Sequence, residues 1–449
     1  MQEFDLVVVG VGMGAVSAAN KCARAGWKVA VVDELPYGGT CALRGCDPKK
    51  MLRRGAEVID AAQLMQGKGI ETGDLRINWS DLVAFKRTWT DVTPGRIEAG
   101  FSRNGVAMFH GTARFIDKRT IDVDGDHLHG NYVLIATGAK PRSLEFPGAE
   151  YVTTSDQFME LEQLPERILF VGGGYVSFEF AHIAARAGAK AVIVERGEHP
   201  LKAFDPDLVD KLVARTRAAG IDVHLASAVQ GISKSQEYLT VSATVDGADE
   251  HFDVDLVVHG AGRVPALDRL DLEAAGVEAG PAGVTVNEHL QSVSNAAVYA
   301  AGDSAASGGA PLTPVAVFEG KIAASNMLRG NQAVADYRGV PSAVFTIPEL
   351  TRVGLLESEA KAQSLDVEVK VTDNSEWYSQ LRVGESCAGA KVLIDRSTGQ
   401  IAGAHLLGPG TGELINFFGL AMRLELKAPD LRRMVSAYPS VGSDLGSFV

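Results

Sequence analysis

Two cysteines separated by four residues are the first feature of this sequence whose chemistry can be argued. Cys41 and Cys46 lie in a glycine-rich segment, and on a helical turn their spacing can bring two sulfurs within bridging distance. A zinc site would need further cysteine or histidine ligands nearby, and none is adjacent. Arg44, Lys49 and Lys50 supply positive charge, which we expect to lower a thiolate pKa. The spacing and the charge therefore favour a redox-active pair.

A glycine-rich turn upstream of the cysteines is typical of a dinucleotide-binding site. Gly10, Gly12 and Ala15 form the pattern G-x-G-x-x-A at the end of an apolar run that begins at Leu6. The first glycine allows a tight turn, the second lets the backbone approach a pyrophosphate, and the alanine keeps helix and strand close. Asp33 lies where a carboxylate should accept ribose hydroxyls. Because the cysteine pair follows this fingerprint directly, a structural disulfide is the less favoured alternative.

A second turn of the same type occurs in the middle of the chain. It contains Gly172 and Gly174, with the small residue Ser177 in the third glycine position. The next apolar run, 191–194, ends in Glu195, whose carboxylate would accept a 2′-hydroxyl and repel a 2′-phosphate. NADH is therefore mildly favoured over NADPH, although two nearby basic residues weaken this preference. Two such turns predict two dinucleotides, most simply a nicotinamide donor and a flavin.

Hydrophobic patterning predicts the elements that position these residues. Short apolar runs precede both glycine-rich turns and predict the first strands of two βαβ units. After residue 338 the pattern changes to strands followed by helices, which is typical of an α+β domain. The expected elements are a helical stretch at about 79–104, alternating strands through residue 126, a strand at 133–138, strands at 367–372 and 391–394, and helices at about 413–424 and 430–436.

Bulk composition limits the classes of partner and the compartment. The 449 residues suffice for about three domains. The net charge of −13 argues against nucleic acid or an anionic membrane as a partner, because these surfaces would repel it. No stretch approaches the ~20 apolar residues of a membrane span, and the N-terminus lacks the basic region of a signal peptide. Four cysteines are too few for a secreted disulfide scaffold, so we expect a cytoplasmic chain.

Short motifs spread over the whole chain carry a resemblance to a known family. They are Gly39-Thr40-Cys41, Cys46-x-Pro48-x-Lys50, Ala136-Thr137-Gly138-x-x-Pro141, Gly174-Tyr175-x-x-x-Glu179, Gly262-Arg263-Val264-Pro265, Tyr299-Ala300-Ala301-Gly302-Asp303, Leu312-Thr313-Pro314-Val315-Ala316 and Val344-Phe345-Thr346. Together they resemble the class I flavoprotein (pyridine nucleotide) disulfide oxidoreductases, such as glutathione reductase, dihydrolipoamide dehydrogenase and mercuric reductase. The resemblance runs essentially end to end.

The resemblance implies an α/β fold with two Rossmann-like dinucleotide-binding domains and a C-terminal α+β dimerisation domain. It implies FAD, NADH or NADPH, and a homodimer in which the C-terminal domain of one subunit completes the site of the other. The expected domains are 1–144 (FAD-binding, first part), 145–264 (NAD(P)-binding), 265–337 (FAD-binding or central, second part) and 338–449 (dimerisation or interface).

The resemblance also implies roles for individual residues. Cys41 would face the substrate, Cys46 would lie under the flavin, and Lys50, favoured over Lys49, would pair with Glu179 near the reactive flavin nitrogen. The implied catalytic residues are Cys41, Cys46, Lys50, Glu179 and Tyr438. The expected cofactor-binding residues are Gly10, Gly12, Gly14, Ala15, Asp33, Gly39, Thr40, Lys49, Lys50, Ala113, Thr137, Gly138, Gly172, Gly174, Tyr175, Glu195, Gly262, Arg263, Asp303, Thr313 and Ala316.

One motif departs from the family pattern near the C-terminus. Disulfide-reducing members carry His-Pro-Thr-x-x-Glu, where this chain has Tyr438 in place of the histidine and Ser443 in place of the glutamate. Proton transfer from imidazolium (about 6.5) to a thiolate (about 8.5) is downhill by about 2.7 kcal/mol, whereas transfer from tyrosine (about 10) is uphill by about 2 kcal/mol. A glutathione-like disulfide is therefore expected to be a poor substrate.

The departure leaves several acceptors open. Mercuric reductase also lacks the histidine, but its C-terminal cysteine pair is absent here, where the last cysteine is Cys387. We expect electrons to pass from NAD(P)H through FAD and the Cys41–Cys46 disulfide to an unusual small disulfide or a thiophilic metal ion. The alternative is an NAD(P)H:quinone or small-electrophile reductase that acts directly from the flavin, and a non-catalytic flavin redox sensor is less favoured.

Overall fold

The computed structural model describes all 449 residues and divides them into two compact units. Unit 1 comprises Met1–Lys49, Ala84–Arg142 and Arg263–Tyr337. Unit 2 comprises Lys50–Val83, Ser143–Gly262 and Arg338–Val449. No helix combines the length and the apolar character that crossing a bilayer requires.

The helices, in chain order, are α1 Met13–Arg24, α2 Gly39–Arg44, α3 Cys46–Leu64, α4 Trp79–Thr90, α5 Thr93–Arg103, α6 Ser155–Phe158, α7 Tyr175–Arg186, α8 Pro206–Ala218, α9 Leu272–Ala275, α10 Thr313–Arg329, α11 Glu357–Ala362, α12 Tyr378–Leu381, α13 Thr411–Arg423 and α14 Ala428–Arg432. The strands are β1 Gln2–Val9, β2 Val29–Asp33, β3 Ala107–His110, β4 Ala113–Phe115, β5 Thr120–Val123, β6 Asp126–Ile135, β7 Ala139–Pro141, β8 Val152–Thr153, β9 Arg167–Val171, β10 Lys190–Val194, β11 Asp222–His224, β12 Ala228–Lys234, β13 Leu239–Val245, β14 Ala248–Val254, β15 Leu256–His259, β16 Arg263–Pro265, β17 Ala279–Gly280, β18 Gly283–Val284, β19 Val298–Ala300, β20 Ser342–Val344, β21 Glu349–Gly354, β22 Val367–Thr372, β23 Gly389–Asp395 and β24 Ile401–Gly408.

Unit 1 is built on a seven-stranded sheet in the order β3-β2-β1-β6-β5-β4, with β19 also paired to β6. Strands β3, β2, β1, β6 and β19 run parallel, which brings their carboxyl ends to one edge. Helix α1 packs against α10 so closely that a Cβ on Gly14 would lie 2.8 Å from the carbonyl oxygen of Ala316. Small residues at this crossing therefore let the two helices meet behind the first turn.

Unit 2 repeats the arrangement around a five-stranded parallel sheet in the order β11-β10-β9-β15-β8. A three-stranded antiparallel sheet, β12-β13-β14, extends it. The chain after residue 338 adds a five-stranded antiparallel sheet, β20-β21-β24-β23-β22, whose buried face packs on α13. The α/β class predicted from the sequence is thus confirmed, whereas the four-domain division stays a prediction.

The helical stretch expected at about 79–104 is helical over nearly all of its length. It is two helices, α4 and α5, separated at Asp91 and Val92. Pro94 lies in the first turn of α5, where its missing N–H costs nothing, but in a continuous helix it would remove a hydrogen bond and clash with the preceding turn. The last helix of the C-terminal region, α14, also ends at Arg432, earlier than the expected 436.

Candidate redox and nucleotide sites

The first dinucleotide turn in unit 1 has the geometry that its glycines predict. Gly10 adopts a φ of +89°, and a Cβ there would lie 2.5 Å from the carbonyl oxygen of Ala136, so only glycine fits. A Cβ on Gly12, in contrast, would meet no atom within 4 Å. Helix α1 begins next to Gly12 with no capping side chain and no acidic residue in its first turn. Its N–H groups therefore remain available to an anionic ligand.

Asp33 lies at the end of β2 and braces this turn. Its Oδ2 accepts the backbone N–H of Val11 at 2.7 Å, and its Oδ1 accepts that of Leu35 at 2.9 Å. Burial raises the pKa of the Asp33 carboxyl, and the charge of Arg44 acts in the opposite direction. The charge of Arg44 therefore acts on Asp33, which its position between the cysteines did not indicate.

The other unit 1 residues expected to hold FAD fit such a group. The Oγ1 of Thr137, at the end of β6, is buried without a hydrogen-bond partner. Burial raises the pKa of Asp303, and the neighbouring Arg263 opposes this shift. Arg263 also donates to the carbonyl of Ala139 at 2.6 Å. The buried Thr137 hydroxyl lies next to the glycine-rich first turn and has no hydrogen-bond partner. A dinucleotide, which has many polar atoms, would supply that partner.

The remaining expected FAD residues occupy varied positions in unit 1. Gly39 is buried and its Cβ would lie 2.6 Å from the Cα of Gly12, so the start of α2 packs on the first turn. Ala113 is buried on β4 opposite Val123. Thr40 is exposed, Gly138 has a positive φ value, and Lys49 is buried. Gly262, which also has a positive φ value, lies in unit 2.

The cysteine pair adjoins the N-terminus of α10 in unit 1. The Sγ of Cys46 lies 3.9 Å from the Oγ1 of Thr313, the first residue of α10, and that helix has no capping side chain. Cys41 and Cys46 share a hydrogen bond, which, with burial, raises the pKa of the Cys41 thiol, whereas Thr313 opposes the shift. The expectation that neighbouring cations lower the thiol pKa is therefore wrong at Cys41.

The second dinucleotide turn, in unit 2, follows the first in outline. Gly172 has a φ of +97°, and a Cβ there would lie 2.8 Å from Ala261. Glu195 accepts the backbone N–H groups of Gly173 and Gly197, the latter at 2.7 Å. Helix α7 begins without a capping side chain or an acidic residue in its first turn. The turn therefore fits the pyrophosphate of a nicotinamide dinucleotide.

Lys50 and Glu179 both contact Phe345 in unit 2. The Nζ of Lys50 lies 3.4 Å from the centroid of the Phe345 ring, and the Oε1 of Glu179 accepts the Phe345 N–H at 2.7 Å. Burial lowers the pKa of Lys50, Arg53 lowers it further, and Glu179 is among the acids that oppose this shift. The charge of Glu179 thus acts on the Lys50 ammonium, but the group in described contact with this ammonium is the Phe345 ring.

Sequence reasoning missed Arg53. Its side chain is 5% exposed and binds the carbonyls of Phe345 and Thr346 and the carboxylate of Glu349. The motif containing Phe345 marked one partner, but no sequence pattern paired it with Arg53, because the two are almost 300 residues apart.

The C-terminal motif is an exposed loop in this chain. Tyr438 is 81% exposed. Asp444, one residue beyond Ser443, accepts a hydrogen bond from Ser379, and burial raises its pKa. Within the single chain, therefore, the Tyr438 side chain projects into solvent, where a second subunit can reach it.

Two family models match the chain. Residues 4–320 match "Pyridine nucleotide-disulphide oxidoreductase", and residues 340–447 match the corresponding dimerisation domain. The chain is 31% identical to a glutathione reductase from Burkholderia cepacia, over 98% of this chain and 97% of that protein. It is also 31% identical to a mercuric reductase from Staphylococcus aureus, over 99% of this chain and 81% of that protein.

A solved structure shares the fold over its whole length. It is a Cu(II) complex of the HOCl-induced flavoprotein disulfide reductase RclA from Escherichia coli, with a TM-score of 0.89 and 25% sequence identity. The match covers 100% of this chain and 99% of that one.

Proposed function

Because the chain belongs to the pyridine nucleotide-disulphide oxidoreductase family, we propose that it carries electrons from NAD(P)H through FAD to Cys41–Cys46 and then to an acceptor at Cys41. The chain is an oxidoreductase of an FAD-dependent, NAD(P)H-using family, and its dimerisation domain supports a homodimer. The single observation that carries the proposal is the hydrogen-bonded cysteine pair at the uncapped N-terminus of α10.

Each group has a chemical task in this scheme. Bound FAD supplies the two-electron relay between nicotinamide and protein sulfur. One hydride supplies two electrons and one proton, and solvent supplies a second proton. Together they convert the Cys41–Cys46 disulfide into two thiols. The positive end of α10 and the Thr313 hydroxyl favour negative charge at the sulfurs.

The acceptor we favour is a thiophilic metal ion rather than a disulfide. Reduction of a disulfide releases thiolates that need protons, and position 438 holds a tyrosine where the family has a histidine, whose imidazolium is the better proton donor. Two copper(II) ions, in contrast, would each take one electron while the Cys41–Cys46 bond re-forms and two protons leave. Two of the similar proteins are named with a metal: one is a mercuric reductase, and the other is the E. coli reductase solved as a Cu(II) complex. Tyr438 of the partner subunit would then serve as a hydrogen-bond donor at the shared site.

NADH is the coenzyme we favour, because the second dinucleotide turn carries the Glu195 carboxylate, and the sequence pattern predicts that this carboxylate lies near the ribose 2′-substituent. The use of NAD(P)H also favours the cytoplasm as the place of the reaction.

An anaerobic titration with NADH tests the cysteine relay. We expect a long-wavelength absorbance band at two electrons per subunit, from a Cys46 thiolate next to oxidised flavin. Cys46→Ser should abolish the band, and Cys387→Ser is the matched control that should keep it. Direct bleaching of the flavin without a band would overturn the relay and support the quinone or small-electrophile reductase instead.

A further inference from the structure

A short segment of unit 2 lacks regular structure and is held almost entirely by side chains from distant helices. It comprises residues 345–348 between β20 and β21, and we call it the linker segment. Five of its backbone polar groups are bonded by four buried side chains, which are Arg53, Glu179, His182 and Arg186. Because buried backbone groups need partners, these side chains determine the path of the segment.

Arg53 makes the largest share of these bonds. Its Nε donates to the Phe345 carbonyl at 2.7 Å, and its Nη2 donates to the Thr346 carbonyl at 2.9 Å. Its Nη2 also lies 3.2 Å from the Glu349 carboxylate, and its Nη1 pairs with Glu57. A planar guanidinium can serve several acceptors at fixed angles, which an ammonium cannot.

The other half of the linker segment rests on α7. The Ile347 N–H donates to the Nδ1 of His182 at 3.1 Å, and the Ile347 carbonyl accepts from Arg186 at 3.4 Å. Arg186 is in turn fixed by Asp60 of α3 at 2.6 Å. Helices α3 and α7 thus grip the segment from both of its halves.

Phe345 connects this grip to the two residues expected to act at the flavin. Its ring faces the Lys50 ammonium and its N–H bonds the Glu179 carboxylate. A cation is attracted to the face of an aromatic ring, so the ring's position decides where the ammonium lies. Any shift of Phe345 would therefore move both charged groups together.

We propose that Arg53 is a positioning residue that, by holding the linker segment, places the Lys50 ammonium and the Glu179 carboxylate for hydride transfer from the nicotinamide. This inference rests on the proposed function and on the family resemblance, which implies that the pair lies next to the reactive flavin nitrogen. A misplacement of about 1 Å at a reacting centre can cost about 100-fold in rate.

The test measures anaerobic flavin reduction by NADH in a stopped-flow instrument, with the holoenzyme and rates expressed per bound flavin. Arg53→Met removes the planar guanidinium while keeping much of the length of the side chain. We expect the limiting reduction rate to fall about 10- to 100-fold. The Kd for NADH should change less than about 3-fold. Arg53→Lys restores the charge without the planar guanidinium and should recover only part of the rate.

Arg54→Met is the matched control. Arg54 is the next residue on α3, is 69% exposed, and contacts the same Glu57 at 3.3 Å, but the described contacts do not join it to the linker segment. Its reduction rate should stay within about 2-fold of the unmodified enzyme. Equal rates in the Arg53→Met and Arg54→Met enzymes would overturn the proposal.

A second variant keeps the proposal testable if Arg53→Met does not fold. Phe345→Leu leaves every backbone bond of the linker segment in place but removes the ring face, and we expect the reduction rate to fall about 10-fold. An unchanged rate in this variant would also overturn the proposal. Failure of the proposed function itself would be recognised separately, because the unmodified enzyme would then show no long-wavelength band.

Discussion

The two dinucleotide turns share a bracing device and differ in how they are closed. In each turn an acidic residue at the end of the next strand binds the backbone N–H of the residue after the first glycine, Asp33 to Val11 and Glu195 to Gly173. The first turn is then walled by α10, which packs on α1. The second helix begins instead with Tyr175, which is 47% exposed. We therefore expect the closed turn to hold a permanently bound cofactor and the open turn to hold a coenzyme that must leave.

The largest difference is expected between substitutions at the two glycines of the first turn, Gly10 and Gly12. Gly12 has an ordinary φ of −81° and open space around its Cβ position, so Gly12→Val should leave the apoprotein's thermal stability nearly unchanged. The valine would, however, occupy the space of the pyrophosphate and weaken FAD binding by about 100-fold. Gly10→Ala should instead destabilise the fold by several kcal/mol, because strain and a 2.5 Å contact coincide.

Gly26→Ala is the control for Gly10→Ala, since its φ is +90° but no atom lies within 4 Å of the Cβ position. It should cost only about 1 kcal/mol, measured by chemical denaturation. A Gly12→Val protein that is purified with a full complement of flavin would contradict the assignment of the first turn.

Exchange of the second acid tests coenzyme choice. Glu195→Gln removes the charge and keeps only one of the two acceptor oxygens that bind the N–H groups of Gly173 and Gly197, so the ratio of kcat/KM for NADPH over NADH should rise about 10-fold. Steady-state assays with both coenzymes measure the ratio. Asp33→Asn, the equivalent change in the first turn, should weaken flavin retention without altering this ratio, and an equal shift in both variants would show that the turns are not specialised.

The helices after the two turns should respond to opposite ends of the pH scale. Burial raises the pKa of the Cys22 thiol on α1 to about 12 from about 9, so only the unfolded chain loses this proton between those values. The buried Cys22 thiol therefore makes its full contribution to the free energy of unfolding below about pH 9, and this contribution is lost as the pH rises towards 12. Cys22→Ala should flatten the alkaline decline in the free energy of unfolding.

His182 on α7 should act at the acid end. Burial, together with Arg186, Arg215 and Arg53, holds its pKa well below 6.5, and its Nδ1 accepts the Ile347 N–H. As the pH falls, the unfolded chain binds a proton at His182 before the folded chain does. The contribution of His182 to the free energy of unfolding is therefore complete above about pH 6.5 and is lost as the pH falls below it. His182→Gln should flatten this acid decline in denaturation series, while an unchanged slope would mean that other groups dominate.

The smallest effect concerns the third position of each fingerprint. The Ser177 hydroxyl is buried without a hydrogen-bond partner, whereas Ala15 is fully buried and apolar. Ser177→Ala should raise the free energy of unfolding by about 1 kcal/mol, because an unsatisfied buried hydroxyl costs about 1–3 kcal/mol. The reciprocal Ala15→Ser should lower it by a similar amount. Denaturation curves of both variants measure the pair, and effects of the same sign would contradict this account.

Much of the site was predictable because its requirements are local. The tight turns at Gly10 and Gly172 need φ values that favour glycine, and an acid at the end of the next strand follows from the βαβ unit. The cysteine spacing likewise places both sulfurs within hydrogen-bond range. Pro94, in the first turn of α5, was a local signal of a helix start that the broad helical pattern concealed.

By itself, the sequence determined the fold class, the two dinucleotide turns and the spacing of the cysteine pair, because each depends on neighbours within one βαβ unit or one helical turn. Only the tertiary structure decided the direction of the Cys41 pKa, the interaction of Arg44 with Asp33, and the grip of Arg53 on the linker segment. Burial and charge depend on which distant segments pack around a group, and no local pattern encodes that packing.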